Sequence, residues 1–347
     1  MRKRALFTLA ALLVAVTAGA ETTRTLRVTL SGGAAAPFAV ENLAGTMTII
    51  AGQGPEVTAV ATIHAEDDEL AAEMRFEQVR GKDGRETLRV IYPSGHRTVR
   101  YPNGHGTSQV TYDGHRIRVS SHRGDVMYAE VEVRVPARGL DAKFRNAVGV
   151  LSADGIEGRI LLDAASGDIR ASKLAGHVKA DTGSGDVRAE GLSGSFTCDT
   201  GSGDCTINGF DGDTLSCDTG SGDVDSRGVR ASRFLADTGS GRVTVTGADL
   251  ETFEGDTGSG RIVLENSGTR LRRVDADTGS GGVTVRLPSD AGFELRADVG
   301  SGDITSDFSD ARAIVHHRRV IGYERGDRRV RIAADTGSGS VRVDPLR

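Results

Sequence analysis

Tryptophan is absent from the 347 residues, proline occurs 7 times, cysteine 3 times, and all aromatics together make up 4%. No Cys-x-x-Cys and no Cys/His spacing suited to zinc is present, which removes metal-knuckle and thioredoxin-like readings. Neither charge sign dominates: 43 basic against 48 acidic residues leave a formal net charge of −5, too little field to steer nucleic acid or an anionic surface through net charge alone. After residue 20 no apolar run is long enough to cross a bilayer. Glycine, by contrast, is abundant at 47 residues, and with so few prolines and aromatics it describes many tight turns between small and β-branched residues. An all-β chain is expected.

The N-terminal stretch MRKRALFTLAALLVAVTAGA places Arg2, Lys3 and Arg4 before an apolar run from Ala5 to about Val16, then Ala18-Gly19-Ala20. That order of charge, apolar core and small-x-small end reads as a signal peptide over 1–20, cleaved after Ala20. No cysteine follows the cleavage point, so lipoprotein processing is not indicated. The expected location is outside the cytoplasm: periplasm, cell surface or medium.

Self-similarity organises the rest. Asp-Thr-Gly-Ser-Gly begins at Asp181, Asp199, Asp218, Asp237, Asp256, Asp277 and Asp335, with Asp-Val-Gly-Ser-Gly at Asp298 and a relative at Asp163. From Asp181 onward the steps are 18, 19, 19, 19, 21, 21 and 37 residues. Apolar residues alternate on both sides of each motif, as in Phe196, Cys198, Cys205 and Ile207, which is the period of half-buried strands. Two short strands per repeat, turned by Gly-Ser-Gly and by a second glycine corner, predict a β-solenoid (parallel β-helix-like) of about 18–21-residue coils. One coil buries too little to offset its ordering entropy, so the coils are expected to stack about 4.8 Å apart. Over residues 21–347 the expected layout is an irregular insertion of β-hairpins and loops at 65–126, regular coils at 163–305, a second insertion at 306–334 and a last coil at 335–347.

Asp-Thr-Gly-Ser also marks the catalytic loops of pepsin-like proteases, but seven intact copies at a regular spacing exclude a unique dyad, and the bulky apolar pair that precedes such loops is missing. Stacking would instead line up the aspartates. Adjacent carboxylates would then repel by about 1 kcal/mol per pair in water and by about 3 to 4 at an effective dielectric of 20, so each must be solvated, turn-bonded or cation-bound. The reading adopted is an Asx turn, with Asp181, Asp199 and Asp218 accepting nearby N–H groups and Gly183, Gly185, Gly201, Gly203, Gly220 and Gly222 at positive φ. The alternative is a Ca2+ ion held along Asp199, Asp218, Asp237 and Asp256; otherwise no cofactor is expected. The residue after the second glycine changes from Asp186, Asp204 and Asp223 to Arg242 and Arg261, which argues against a metal groove.

Cys198 and Cys217 occupy equivalent positions in successive repeats, a candidate disulfide, with Cys205 left over. His96, His105, His115 and His122 match no metal spacing and read as loop residues. Tyr92, Tyr101, Tyr112 and Tyr128, with Arg97, Arg100 and Arg116, are a candidate contact surface or simply hairpin packing.

The early Gly-Thr-Met-Thr-Ile segment, the lead-in VEVRVPARGLDAKFRNAVGVL and the repeated SGDI, GSGDV and GSGRI turns resemble the bacterial putative-adhesin domain family of unknown function, from about Thr25 onward. The resemblance implies a non-enzymatic exported surface or envelope protein, an adhesin or binding scaffold, and supplies no catalytic residues. Its partner would be an envelope or surface ligand, protein or glycan, with no nucleic acid and no membrane span after signal cleavage. The alternatives are a self-associating envelope scaffold and a polysaccharide-active enzyme using the outward aspartates.

Overall fold

The computed structural model describes residues 21–30, 33–81 and 83–346; the expected signal peptide lies outside them. Apart from one short helix, Asp68–Glu73, the regular structure is β, and no described helix is long and apolar enough to cross a membrane. The chain divides into two compact units, Met1–Arg170 and Ala171–Arg347.

In the first unit the sheet is mixed. Thr22–Thr29 pairs antiparallel with Thr58–Ala65, which pairs antiparallel with Asp125–Val135. The long strand Phe38–Ala51 runs parallel to Asp125–Val135, Leu140–Val148 and Glu86–Ile91. Residues 65–126 supply two antiparallel hairpins, Arg75–Arg80 with Glu86–Ile91 and Thr107–Tyr112 with His115–Ser120. Sequence gave no warning of a buried amide pair in this unit. Asn42 Nδ2 donates to Asn146 Oδ1 at 2.9 Å, and Asn146 Nδ2 to the Gly45 carbonyl at 2.9 Å, both side chains being fully buried.

In the second unit the seven strands that carry Asp-Thr-Gly run parallel in one ladder. Ala175–Thr182, Val187–Thr200, Cys205–Thr219, Val224–Thr238 and Val243–Thr257 follow sequence order, with Asp181, Asp199, Asp218, Asp237 and Asp256 in register. Inward positions stack Val178, Phe196, Leu215, Phe234, Phe253 and Val274, all buried. Sequence order then breaks. Arg273–Thr278 pairs with Val330–Ser338, which pairs in turn with Phe293–Ser301, so the Asp335 rung lies between those of Asp277 and Asp298. An outer antiparallel hairpin, Arg312–His316 with Arg319–Arg325, attaches to Phe293–Ser301.

The expected β-solenoid of uniform successive coils is therefore corrected to an all-β fold with a parallel core and outer antiparallel strands. Three physical reasons account for the difference. The repeat period reports which residues alternate but not which strand neighbours which, so the displaced Asp335 rung was not readable. Some N-terminal segments, such as Thr58–Ala65, alternate as the repeats do yet pair antiparallel. Finally, the second glycine corner does not end a strand: Gly209, Gly228 and Gly247, at φ of 75°, 62° and 62°, let single strands of 15 residues bend and continue.

Candidate binding face

The Asp-Thr-Gly-Ser-Gly turn is organised by its threonine. Thr200, Thr219, Thr238, Thr257 and Thr278 are buried, with at most 2% exposure. Each hydroxyl makes two bonds: Thr238 Oγ1 donates to the Gly222 carbonyl of the neighbouring rung at 2.8 Å and accepts the Gly241 N–H of its own turn at 3.0 Å. Thr200, Thr219, Thr257 and Thr278 repeat the pattern within 0.1 Å of those distances. One hydroxyl thus closes a turn and ties it to the next strand, and two otherwise unsatisfied backbone groups are paired.

The glycines serve close approach. A Cβ placed on Gly203, Gly222 or Gly241 would lie 1.8 to 1.9 Å from the carbonyl oxygen of the preceding glycine in the ladder. The expectation of positive φ at Gly201, Gly203, Gly220 and Gly222 is corrected, since none of them lies in that region. The Asx-turn expectation is corrected as well. Asp218, Asp237, Asp256 and Asp277 are exposed and have no hydrogen bond or ion pair among the described residues. A threonine outcompetes the aspartate here because strand alternation sends Thr inward and Asp outward.

The outward side chains form an acidic face. At one end Lys179 Nζ bridges Asp181 and Asp199 at 2.9 and 3.0 Å, and its own pKa is raised by the Asp181 bond first. Farther along no lysine intervenes. Partial burial, then repulsion from Asp218 and Asp256, pushes the Asp237 carboxyl above the usual range; burial, then Asp256 and Asp335, does the same to Asp277. A shallow groove of about 440 Å³ runs over this end, lined by Leu235, Asp237, Asp256, Asp277 and Asp335 together with Glu254, Asp275 and Arg273. The last three were missed by sequence reading; their signal is placement on the outward face, Glu254 and Asp275 two positions before Asp256 and Asp277, and Arg273 four before Asp277. Among the described residues no cluster of three or more His, Cys, Asp or Glu is arranged to hold a metal ion, and the row Asp199, Asp218, Asp237 and Asp256 forms no such group.

A second acidic row follows the turn. Asp186 Oδ1 accepts the Asp204 N–H at 3.0 Å, Asp204 Oδ1 the Asp223 N–H at 2.9 Å, and Asp223 Oδ1 the Arg242 N–H at 2.7 Å. The Arg242 guanidinium also binds Asp223, and this bond holds that carboxyl below the usual range. The exchange of Asp for Arg at this position therefore ends a row of like charges with an opposite one.

The proposed Cys198–Cys217 disulfide is corrected: Cys198 is bonded to Cys205, with Cα atoms 6.7 Å apart, and Cys217 is free and buried. Cys198 and Cys217 are in register, so their side chains run side by side into the core, whereas Cys198 and Cys205 face each other across one turn. Burial pushes the Cys217 thiol far above its ordinary value. The tyrosine contact surface is also corrected to packing. Tyr92, Tyr101, Tyr112 and Tyr128 are at most 9% exposed, with the Tyr92 hydroxyl 2.9 Å from Asn42 Oδ1 and the Tyr112 hydroxyl 2.8 Å from the Val90 carbonyl. His105, His115 and His122 are exposed, while His96 Nδ1 lies 2.6 Å from Asp125 Oδ2.

The family model described as Toastrack DUF4097 matches residues 108–344, more than half of the chain, and the protein belongs to that family. Similar solved structures include a "putative lipid binding protein" from Parabacteroides distasonis, at 13% identity and TM-score 0.44, covering 94% of this chain and 97% of that one. A "putative adhesin" from the same species (10%, TM-score 0.43, 94% and 97%) and another from Bacteroides fragilis (12%, 0.35, 93% and 97%) are also similar. The comparison with curated proteins gives no match.

Proposed function

We propose that this protein is a non-enzymatic, exported envelope or surface scaffold that binds its ligand, a protein or glycan, along the outward Asp ladder and its groove. The observation that carries the reading is the division of labour within each turn. Thr and Gly perform the structural work inside, so the exposed Asp218, Asp237, Asp256 and Asp277 are free of any turn-forming duty among the described residues. Carboxylates held at one rung spacing present acceptors for sugar hydroxyls or cationic side chains without an ordering cost at binding. Family membership supports a non-catalytic role, and the expected signal peptide supports export.

The test is capture from native envelope extracts by the purified protein and by a triple variant, Asp237→Asn, Asp256→Asn and Asp277→Asn. The expected result is loss of the captured ligand with the far-ultraviolet spectrum unchanged. Equal capture by the triple variant would overturn the assignment of this face.

A further inference from the structure

Among the described residues only two large apolar side chains are strongly exposed, Val315 at 59% and Val320 at 37%. They are cross-strand partners in the outer hairpin, one step from its tip, where His316 faces Arg319. The turn itself is His317 and Arg318, at φ of 47° and 67°. Two successive left-handed residues make the tight primed turn that glycine and asparagine normally occupy. Histidine and arginine are strained there, and strained backbone of this kind is retained where side chains serve a purpose.

Charge is distributed just as unevenly. The tip Val315-His316-His317-Arg318-Arg319-Val320 contains no acid, and neither Arg318 nor Arg319 has a carboxylate partner among the described residues. At the base the arginines are paired, Arg312 and Arg328 with Glu324, and Arg325 with Asp310. Arg325 also lies 4.8 Å over the Phe308 ring and donates to the Ala291 carbonyl at 2.6 Å. The hairpin is thus held at its base and left cationic and apolar at its tip.

We propose that this tip docks on lipid bilayers rich in anionic headgroups, Val315 and Val320 entering the boundary between headgroups and acyl chains while Arg318 and Arg319 meet lipid phosphates. The proposal goes beyond the ladder-face reading and stands whether or not that face binds a ligand. A bilayer fits better than a protein partner. Two valines and a two-residue turn offer far less than the roughly 800 Å² per side of a stable protein interface, whereas a bilayer boundary accepts an apolar apex without a complementary surface.

Co-sedimentation of the purified protein with sucrose-loaded vesicles tests this, using phosphatidylcholine alone and phosphatidylcholine with about one-third phosphatidylglycerol. Binding is expected at least tenfold tighter to the anionic vesicles and weakened by salt. With roughly a fivefold contribution per surface arginine, the double variant Arg318→Ala, Arg319→Ala should lose about 30-fold. Val315→Ser with Val320→Ser should lose roughly tenfold while keeping the salt dependence. Because the chain has no tryptophan, Val315→Trp provides a single reporter whose emission should shift to the blue on anionic vesicles. Equal binding to both vesicle types, unchanged emission, retention of heparin in place of vesicles, or tip-dependent dimerisation in sedimentation would each overturn the proposal.

Discussion

Replacing Asp237 by asparagine should make the protein more stable. Asp237 stands in register between Asp218 and Asp256 with no counter-ion among the described residues. At a rung spacing of about 4.8 Å, each like-charged neighbour costs about 0.9 kcal/mol in water, and screening at 0.15 M salt roughly halves that. Removing one charge with two neighbours therefore returns about 1 kcal/mol, a rise in Tm of about 2 to 3 °C for a domain of this size. Asp199→Asn is the internal control, because Lys179 Nζ sits 3.0 Å from Asp199 and 2.9 Å from Asp181 and already offsets the repulsion there. That variant should be neutral or slightly destabilised. Scanning calorimetry in 0.05, 0.15 and 1 M NaCl would resolve the two, and the gain of Asp237→Asn should shrink toward zero at the highest salt. A lower Tm for Asp237→Asn, or equal shifts for both variants, would refute ladder repulsion. Calcium-dependent stabilisation of the wild type that Asp237→Asn abolishes would show instead that a cation bridges the rungs.

Three further outcomes are expected. Thr238→Val removes the bonds to the Gly222 carbonyl and the Gly241 N–H at nearly constant volume and should cost about 2 to 4 kcal/mol in denaturant unfolding; a cost below about 1 would mean the threonine is not the turn's anchor. Non-reducing peptide maps should link Cys198 to Cys205, and Cys217 should resist alkylation until the chain unfolds; a Cys198–Cys217 peptide would refute the pairing. Asp237 and Asp277 bind protons more tightly folded than unfolded, so their cost at neutral pH should be relieved as pH falls through their raised folded values. Asp223, held down by Arg242, behaves oppositely: it stabilises above the unfolded carboxylate value, about pH 4, and loses that contribution as pH falls through its lowered folded value. Tm should therefore rise slightly as pH falls from neutral through the raised values of these two carboxyls, and the double variant Asp237→Asn, Asp277→Asn should flatten that rise.

Periodicity made the all-β class and the in-register aspartates legible, because a strict repeat with period-two alternation leaves parallel stacking as the economical way to bury Phe196, Phe234 and Phe253. It did not make the internal chemistry of the turn legible. Asp and Thr are both able turn formers, and only the inward placement of Thr238 decides which of them closes the turn. The tyrosines of residues 92–128 were ambiguous for a similar reason: an amphipathic ring reads equally as contact surface or as packing until a partner such as Asn42 is seen beside it. Cys198 misled through translation symmetry, since equivalent positions in successive repeats are neighbours whose side chains run parallel, while the bond formed joins two sides of one turn.

The displaced rung sets an order of assembly. Val330–Ser338 is synthesised after Phe293–Ser301 yet lies between it and Arg273–Thr278, so growth of the ladder by simple addition halts at the Asp277 rung. Until Val330 and Ile332 arrive, both flanking strands keep unpaired edges, and Phe293 and Leu295 lack their parallel neighbours. The later segment acts as a keystone: a chain interrupted before residue 330 would hold two open edges, exposed to proteases and to pairing with another copy.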